Sequence, residues 1–256
     1  MTGEPSGPEI QKAGSLLKLS QHAVVLTGAG ISTPSGIPDF RSQGSGLWNK
    51  DNPFEVASLT AFRRRPERFF AWLRPLAVQI ASARPNPAHQ ALADLEKAGL
   101  IKAVITQNID GLHQAAGSQA VLELHGSTKN LTCLYCHRAY PIGQFRDEFL
   151  GQGKLPYCPN CGKLLKPDIV LFEEMLPASV WEQAEAHCRQ ADVMLVVGSS
   201  LEVAPAGRLP WTALEHGAEL IVLNLTPTYL DGHARLVFHA DAAEVLPQMA
   251  AFALGV

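Results

Sequence analysis

His22-Ala23-Val24-Val25-Leu26-Thr27-Gly28-Ala29-Gly30-Ile31-Ser32 is the stretch whose reading decides the fold: a short apolar run that ends in a glycine turn. An apolar run without polar alternation suits a strand covered on both faces. Lys102–Thr106, Val193–Val197 and Leu220–Asn224 have the same character. Helical patterns lie between them, at Ala88–Ala98, Ala178–Gln190 and Pro210–His216. Strands alternating with helices predict an α/β fold built on a doubly wound parallel sheet. Ligands of such sheets bind beyond the carboxyl ends of the strands. Here those ends carry Gly28-Ala29-Gly30, Gln107-Asn108-Ile109-Asp110, Gly198-Ser199-Ser200 and Asn224.

Two stretches depart from the alternation. From about Ser42 to Pro87 the pattern is helical, rich in aromatics and arginine, and broken by Pro53, Pro66, Pro75, Pro85 and Pro87. From about Gly126 to Lys166 the chain carries paired cysteines. The expected division is a large domain from residues 1–41, 88–125 and 167–256, and a smaller lobe from 42–87 and 126–166.

The composition narrows the function classes. Of 256 residues, 46% are hydrophobic and 18% charged, enough for a sizeable core. A formal net charge of -3 offers no electrostatic case for nucleic acid or an anionic membrane as partner. Arg63-Arg64-Arg65 reads as a solvated helix face. The segment Met1–Pro8 lacks the basic and apolar regions of a secretion signal, and no apolar run is long enough to span a bilayer. With cysteines in close pairs, this points to a reducing, cytoplasmic setting and to metal rather than disulfides.

Cys133-x2-Cys136 is followed after 21 residues by Cys158-x2-Cys161. A two-residue gap lets both thiolates of a turn face one tetrahedral ion, and four thiolates close its shell. The expected metal is therefore one structural zinc ion. Cys188, alone on a helical pattern, is expected in the core.

The other motifs are individually modest. Glycines after a strand let backbone N–H groups approach a pyrophosphate, but Thr33 stands where a third glycine of the dinucleotide fingerprint would be. Gly36-Ile37-Pro38-Asp39-Phe40-Arg41 continues the turn into a long loop, which in a compact domain is usually functional. Asn108 and Asp110, two apart, point the same way in extended backbone and together suit a carboxamide. An ordinary Asn/Asp turn is the bland alternative. His125, in Leu124-His125-Gly126, has the pKa range of a base for a sugar hydroxyl, and equally that of an ordinary surface or core histidine.

Taken together, Gly-Ala-Gly-Ile-Ser (28–32), Gly-Ile-Pro-Asp-Phe-Arg (36–41), Thr-Gln-Asn-Ile-Asp-Gly-Leu-His (106–113), Leu-His-Gly (124–126), the paired cysteines and Gly-Ser-Ser-Leu (198–201) stand in the order of the sirtuin family. The resemblance runs from about Leu16 to Met249. It implies a NAD-dependent protein lysine deacetylase or deacylase with a Rossmann-like large lobe and a zinc-bearing small one. Carried over by position, Gly28, Ala29, Gly30 and Ser32 would line the phosphate and ribose site, and Asp39, Phe40 and Arg41 would form the cofactor loop. Gln107, Asn108, Ile109 and Asp110 would hold the nicotinamide ribose and carboxamide, with Asn108 and His125 as the catalytic pair and His125 the general base. Gly198, Ser199, Ser200, Asn224, Leu225 and Ala242 would contact the adenosine half. Acyl-lysine peptides would lie on Val170, Leu171, Phe172 and Glu173. The resemblance further implies release of nicotinamide and O-acyl-ADP-ribose, with no metal in the chemistry. A monomer is expected.

Two features bear on the substrate. Many family members carry glycine where Glu173 stands; glutamate would narrow the approach of a peptide, favour basic peptides, or point to solvent. Members that prefer succinyl or malonyl groups carry a tyrosine and, three residues on, an arginine; the matching places here read as Phe70 and Leu73, with Arg74 adjacent. An apolar wall disfavours a carboxylate-bearing acyl group, because burying that charge unpaired is costly. Acetyl or a longer fatty acyl group is the expectation. Mono-ADP-ribosyl transfer and a non-catalytic NAD or ADP-ribose sensor are the alternatives; a sensor has no need of a general base.

Overall fold

The computed structural model describes residues 6–39 and 52–256. In chain order its elements are helix α1 (Gly7–Leu19), strand β1 (Ala23–Thr27), α2 (Pro53–Val56), α3 (Leu59–Arg64), α4 (Pro66–Ser82), α5 (Pro87–Lys97), β2 (Ile101–Thr106), α6 (Leu112–Ala116), β3 (Val121–Glu123), β4 (Gly126–Cys133), β5 (Ala139–Pro141), α7 (Arg146–Gln152), β6 (Leu165–Ile169), α8 (Ala178–Gln190), β7 (Val193–Val197), α9 (Leu209–Glu215), β8 (Glu219–Leu223), β9 (Leu236–Phe238) and α10 (Ala242–Leu254).

Six strands form one parallel sheet in the order β3-β2-β1-β7-β8-β9. The four strands anticipated from apolar runs occupy its centre. Their lack of alternation has the expected cause: every residue of β1 and β7 is buried. Ala23 and Val25 face a core closed by α1, α5 and α10. Val24 and Leu26 face a second core closed by α8 and α9. Period-two alternation is present but invisible, since both faces are apolar. The edge strands β3 and β9 have three residues each, too few for a sequence signal.

Several prolines of the 42–87 stretch start helices rather than break them. Pro53, Pro66 and Pro87 stand in the first turns of α2, α4 and α5, where the missing N–H costs nothing; Pro75 lies inside α4. Phe62, Phe69 and Phe70 build a separate core, joined by Phe149 of α7 at 5.5 Å between ring centroids. The cysteine stretch folds as a three-stranded antiparallel sheet, β5-β4-β6. Cys188 is fully buried in α8, as expected.

The passage between the two sheets places the site. Leaving β3, the chain passes Leu124 and His125 and enters β4 at Gly126, which has φ +72. A Cβ there would lie 2.1 Å from the Asp168 carbonyl oxygen, so only glycine lets β4 cross β6 at this point. His125 and the continuation of β6, joined by the Val170 N–H to the His125 carbonyl oxygen at 2.8 Å, both border the cleft.

Candidate active site

A cleft of about 1140 Å³ opens beyond the carboxyl ends of β1, β2, β7 and β8. It is lined by Gly28, Ala29, Gly30, Ser32 and Asp39; by Gln107, Asn108, Ile109, Asp110 and His125; by Val170, Leu171, Phe172 and Glu173; and by Gly198, Ser199, Ser200, Asn224, Leu225 and Ala242. Every anticipated NAD, catalytic and substrate residue with a described position is therefore in one cavity. Phe40 and Arg41 lie outside the described residues.

The glycines also meet a need within the protein itself. The Gly28 N–H donates to Val197 O at 3.1 Å and the Gly30 N–H to Gly198 O at 2.8 Å, so both donors serve the protein. A Cβ on Gly28 would stand 2.7 Å from Gly198 O, and one on Gly30 2.8 Å from Gly198 Cα. The two loops cross in direct backbone contact.

Ser32 is the hub of the deep end. Its hydroxyl donates to Asp110 Oδ2 at 2.7 Å, and Asn108 Nδ2 donates to Ser32 Oγ at 3.2 Å and to Gly28 O at 3.0 Å. Asn108 and Asp110 do converge, as their spacing predicts. Burial pushes the Asp110 carboxyl up, against hydrogen bonds from the Leu112 N–H and the Ser32 hydroxyl that pull it down. Gln107 faces elsewhere: its Nε2 donates to Ser199 Oγ at 2.9 Å, tying the β2 loop to the β7 loop.

His125 Nδ1 lies 2.9 Å from the Gln107 carbonyl oxygen. A carbonyl only accepts, so Nδ1 carries the proton and Nε2 holds the lone pair. Burial lowers the His125 pKa, partly offset by the Gln107 carbonyl, so the ring is neutral at physiological pH.

Below these residues lies support that single motifs did not reveal. Thr27 donates to Thr106 Oγ1 at 2.8 Å; the Thr106 hydroxyl oxygen accepts the Asn108 N–H at 3.1 Å. With its own proton committed, Thr27 Oγ1 accepts from His113 Nε2 at 2.9 Å. Burial holds the His113 pKa down to about 3, so this ring stays neutral. Asn86, which caps α5, reaches Ile31 O at 2.8 Å and Ser35 Oγ at 3.0 Å and fixes the loop after β1.

One wall of the cleft is apolar. Trp72, Leu73, Leu76 and Ile80 line it from α4. Of the two anticipated acyl-selecting positions, Leu73 lines the cleft; Phe70 does not, and packs instead against Phe62, Phe69 and Phe149. Leu76, three residues on, also lines the cleft. Arg74 turns away and donates to Leu150 O at 2.7 Å and Gly151 O at 2.8 Å.

The four cysteine sulfurs lie within 4.8 Å of one another, the one such group among the described residues. Cys133 and Cys161 are 3.5 Å apart, and Cys136 and Cys158 3.6 Å. A zinc ion with Zn–S bonds of about 2.3 Å separates its sulfurs by roughly 3.8 Å, so the donor set fits. None of these cysteines lines the cleft, so the ion they suit is structural.

The model of the Sir2 family matches residues 28–205, from the glycine loop through the β7 loop. The chain belongs to the Sir2 family. The "NAD-dependent protein deacylase 2" of Archaeoglobus fulgidus is 48% identical over 94% of both chains. A "NAD-dependent protein deacetylase" of Sulfurisphaera tokodaii is 46% identical over 93% of this chain and 94% of its own. Among solved structures, one described under the mechanism and regulation of Sir2 enzymes superposes with a TM-score of 0.92, at 46% identity over 98% of this chain and 99% of the other. Sir2Af2 bound to a myristoylated histone peptide superposes with a TM-score of 0.83, at 41% identity over 97% of each.

Proposed function

We infer that this chain is a NAD-dependent protein lysine deacylase, with His125 as its general base. The observation that carries the reading is the arrangement of one cleft. The linked Ser32, Asn108 and Asp110 side chains occupy one part of it, and a neutral imidazole with Nε2 unprotonated borders the same cleft beside the segment after β6. NAD, as co-substrate, supplies the ribose carbon that nicotinamide leaves. Asn108, Asp110 and Ser32 hold the nicotinamide end. Gly198, Ser199, Ser200, Asn224, Leu225 and Ala242 take the adenosine half, and Val170–Glu173 takes the peptide. His125 Nε2 removes a proton from a ribose hydroxyl, the role that its lowered pKa suits. The apolar face of α4 seats the acyl chain and excludes water. The products are free lysine, nicotinamide and O-acyl-ADP-ribose. The five cysteines are all unpaired, which suits a reducing, cytoplasmic setting.

The α4 wall sets the acyl preference. No cationic side chain of α4 lines the cleft, so a succinyl carboxylate would be buried there unpaired. With NAD and otherwise identical acetyl-, myristoyl- and succinyl-lysine peptides, the acetyl and myristoyl forms turn over at least about tenfold faster than succinyl by kcat/KM. Nicotinamide release tracks peptide deacylation. Succinyl as the best substrate would contradict the apolar wall, and no peptide-dependent nicotinamide release from any of the three would contradict the assignment.

A further inference from the structure

Among the described residues, three other than glycine hold positive φ: His137, Glu173 and Leu201. Glu173, at φ +76, lies in the segment where the peptide is placed, in a backbone region that disfavours any residue with a Cβ. Its side chain is exposed and lines the cleft, and its carboxylate is tied to the helical module. Glu173 Oε2 accepts the Thr60 N–H at 2.9 Å, in the first turn of α3. The Thr60 hydroxyl and N–H, with Arg63 and Arg64 beyond, hold its carboxyl below the usual range.

The same segment is fastened to the helical module through its backbone. Leu59 N–H donates to Phe172 O at 3.0 Å and Phe172 N–H to Ala57 O at 3.0 Å, while the Phe172 ring lies 4.8 Å from that of Phe54. At its other end, Val170 N–H donates to His125 O at 2.8 Å. Four residues thus connect the catalytic histidine's backbone with α2 and α3. The next glutamate turns the opposite way: Glu174 pairs with the buried Lys166 at 2.8 Å and accepts the Leu171 N–H at 2.9 Å.

We propose that Glu173 is a positioning residue for the acyl-peptide, whose carboxylate on Thr60 holds the Val170–Glu173 segment in the shape that receives the substrate. This rests on the deacylase reading. A peptide that adds to a strand edge binds through main-chain hydrogen bonds, and an edge already set in place spares the cost of ordering it on binding. The anchor offsets the unfavourable φ, so a glutamate serves where glycine would otherwise be required. The carboxylate faces α3, so it acts through the backbone of the segment and not by charge on the peptide.

Steady-state kinetics with an acetyl-lysine peptide at saturating NAD test this. Glu173→Ala raises the peptide KM about fivefold, the effect of losing one helix-capping acceptor, with kcat changed less than about twofold. Glu173→Gln keeps an acceptor oxygen and stays within about twofold of wild type. Glu173→Gly removes the strain and the anchor together, so its KM rises with that of the alanine variant. Thr60→Val raises KM in the wild-type background and adds nothing to Glu173→Ala. Wild-type KM in both the alanine and glycine variants would overturn the proposal. So would a glutamine variant as impaired as alanine with Thr60→Val additive, the pattern of a charge that meets the peptide directly. A wild-type protein that deacylates no peptide overturns the deacylase reading and this proposal with it; an active wild type with unchanged variants overturns the proposal alone.

Discussion

His125→Ala lowers the deacylation rate at saturating NAD and peptide at least about a hundredfold, the lower end of what general bases supply. The geometry leaves little to replace it: Nδ1 is committed to the Gln107 carbonyl, and Nε2 is the nitrogen left to take a proton. The pH dependence follows from the direction of the shift. A pKa lowered by burial keeps the ring neutral as pH falls through the ordinary histidine value, so the base form survives below pH 6.5. The acid limb of the wild-type kcat/KM profile therefore lies below pH 6.5, and that limb is absent from the residual activity of the alanine variant. Thermal unfolding at neutral pH separates this from misfolding, since the variant keeps Leu124 and Gly126, whose packing and backbone fix the crossing into β4. Near wild-type turnover in a folded variant would contradict the assignment of the base.

Removal of the zinc ion is expected to unfold the three-stranded sheet and abolish activity. The core beneath the cysteines is small: Leu131 and Leu165 are its buried residues besides Cys133 and Cys158 themselves. β5 has three residues, and a small sheet with so little apolar burial has little stability of its own. Structural zinc sites contribute about 10–16 kcal/mol of apparent binding energy, as much as or more than the roughly 5–15 kcal/mol that stabilises a typical domain. Loss reaches the chemistry because β4 begins next to His125 and β6 runs into Val170–Glu173. Chelation, or Cys158→Ser, should abolish activity and leave a single thermal transition of reduced enthalpy, that of the parallel sheet, the small sheet being unfolded beforehand. One unchanged transition and full activity, with zinc loss verified by elemental analysis, would contradict this account.

The sequence made much of this legible because its strongest signals came from physical necessity. A strand buried on both faces must be apolar throughout, so β1, β2, β7 and β8 were readable; four thiolates at knuckle spacing have few other uses. Gly126 was readable as part of a motif, though its reason, a crossing of β4 over β6, needs three dimensions. The terminal helices were overlooked for opposite reasons. α1 buries Ile10, Ala13, Gly14 and Leu17 at helical spacing, a signal present but short. α10 is apolar around much of its circumference and shows no clear polar face. The Thr27, Thr106 and His113 network joins residues far apart in the chain, so no local pattern could announce it. Of the two positions matched on α4, Leu73 lines the cleft and Phe70 packs among Phe62, Phe69 and Phe149, because periodicity gives the face of a helix but not which end of that face meets the cleft. Glu173 shows the same limit: its residue type suggested peptide charge or solvent, and only the fold brings Thr60 to its carboxylate.

The most direct test is a product balance on the purified protein with NAD and an acetyl-lysine peptide, followed by mass spectrometry. The account predicts deacetylated peptide, nicotinamide and O-acetyl-ADP-ribose in equal amounts, with none formed when NAD is omitted. Nicotinamide accompanied by ADP-ribosylated protein, or peptide left acetylated while NAD is bound and unconsumed, would contradict it.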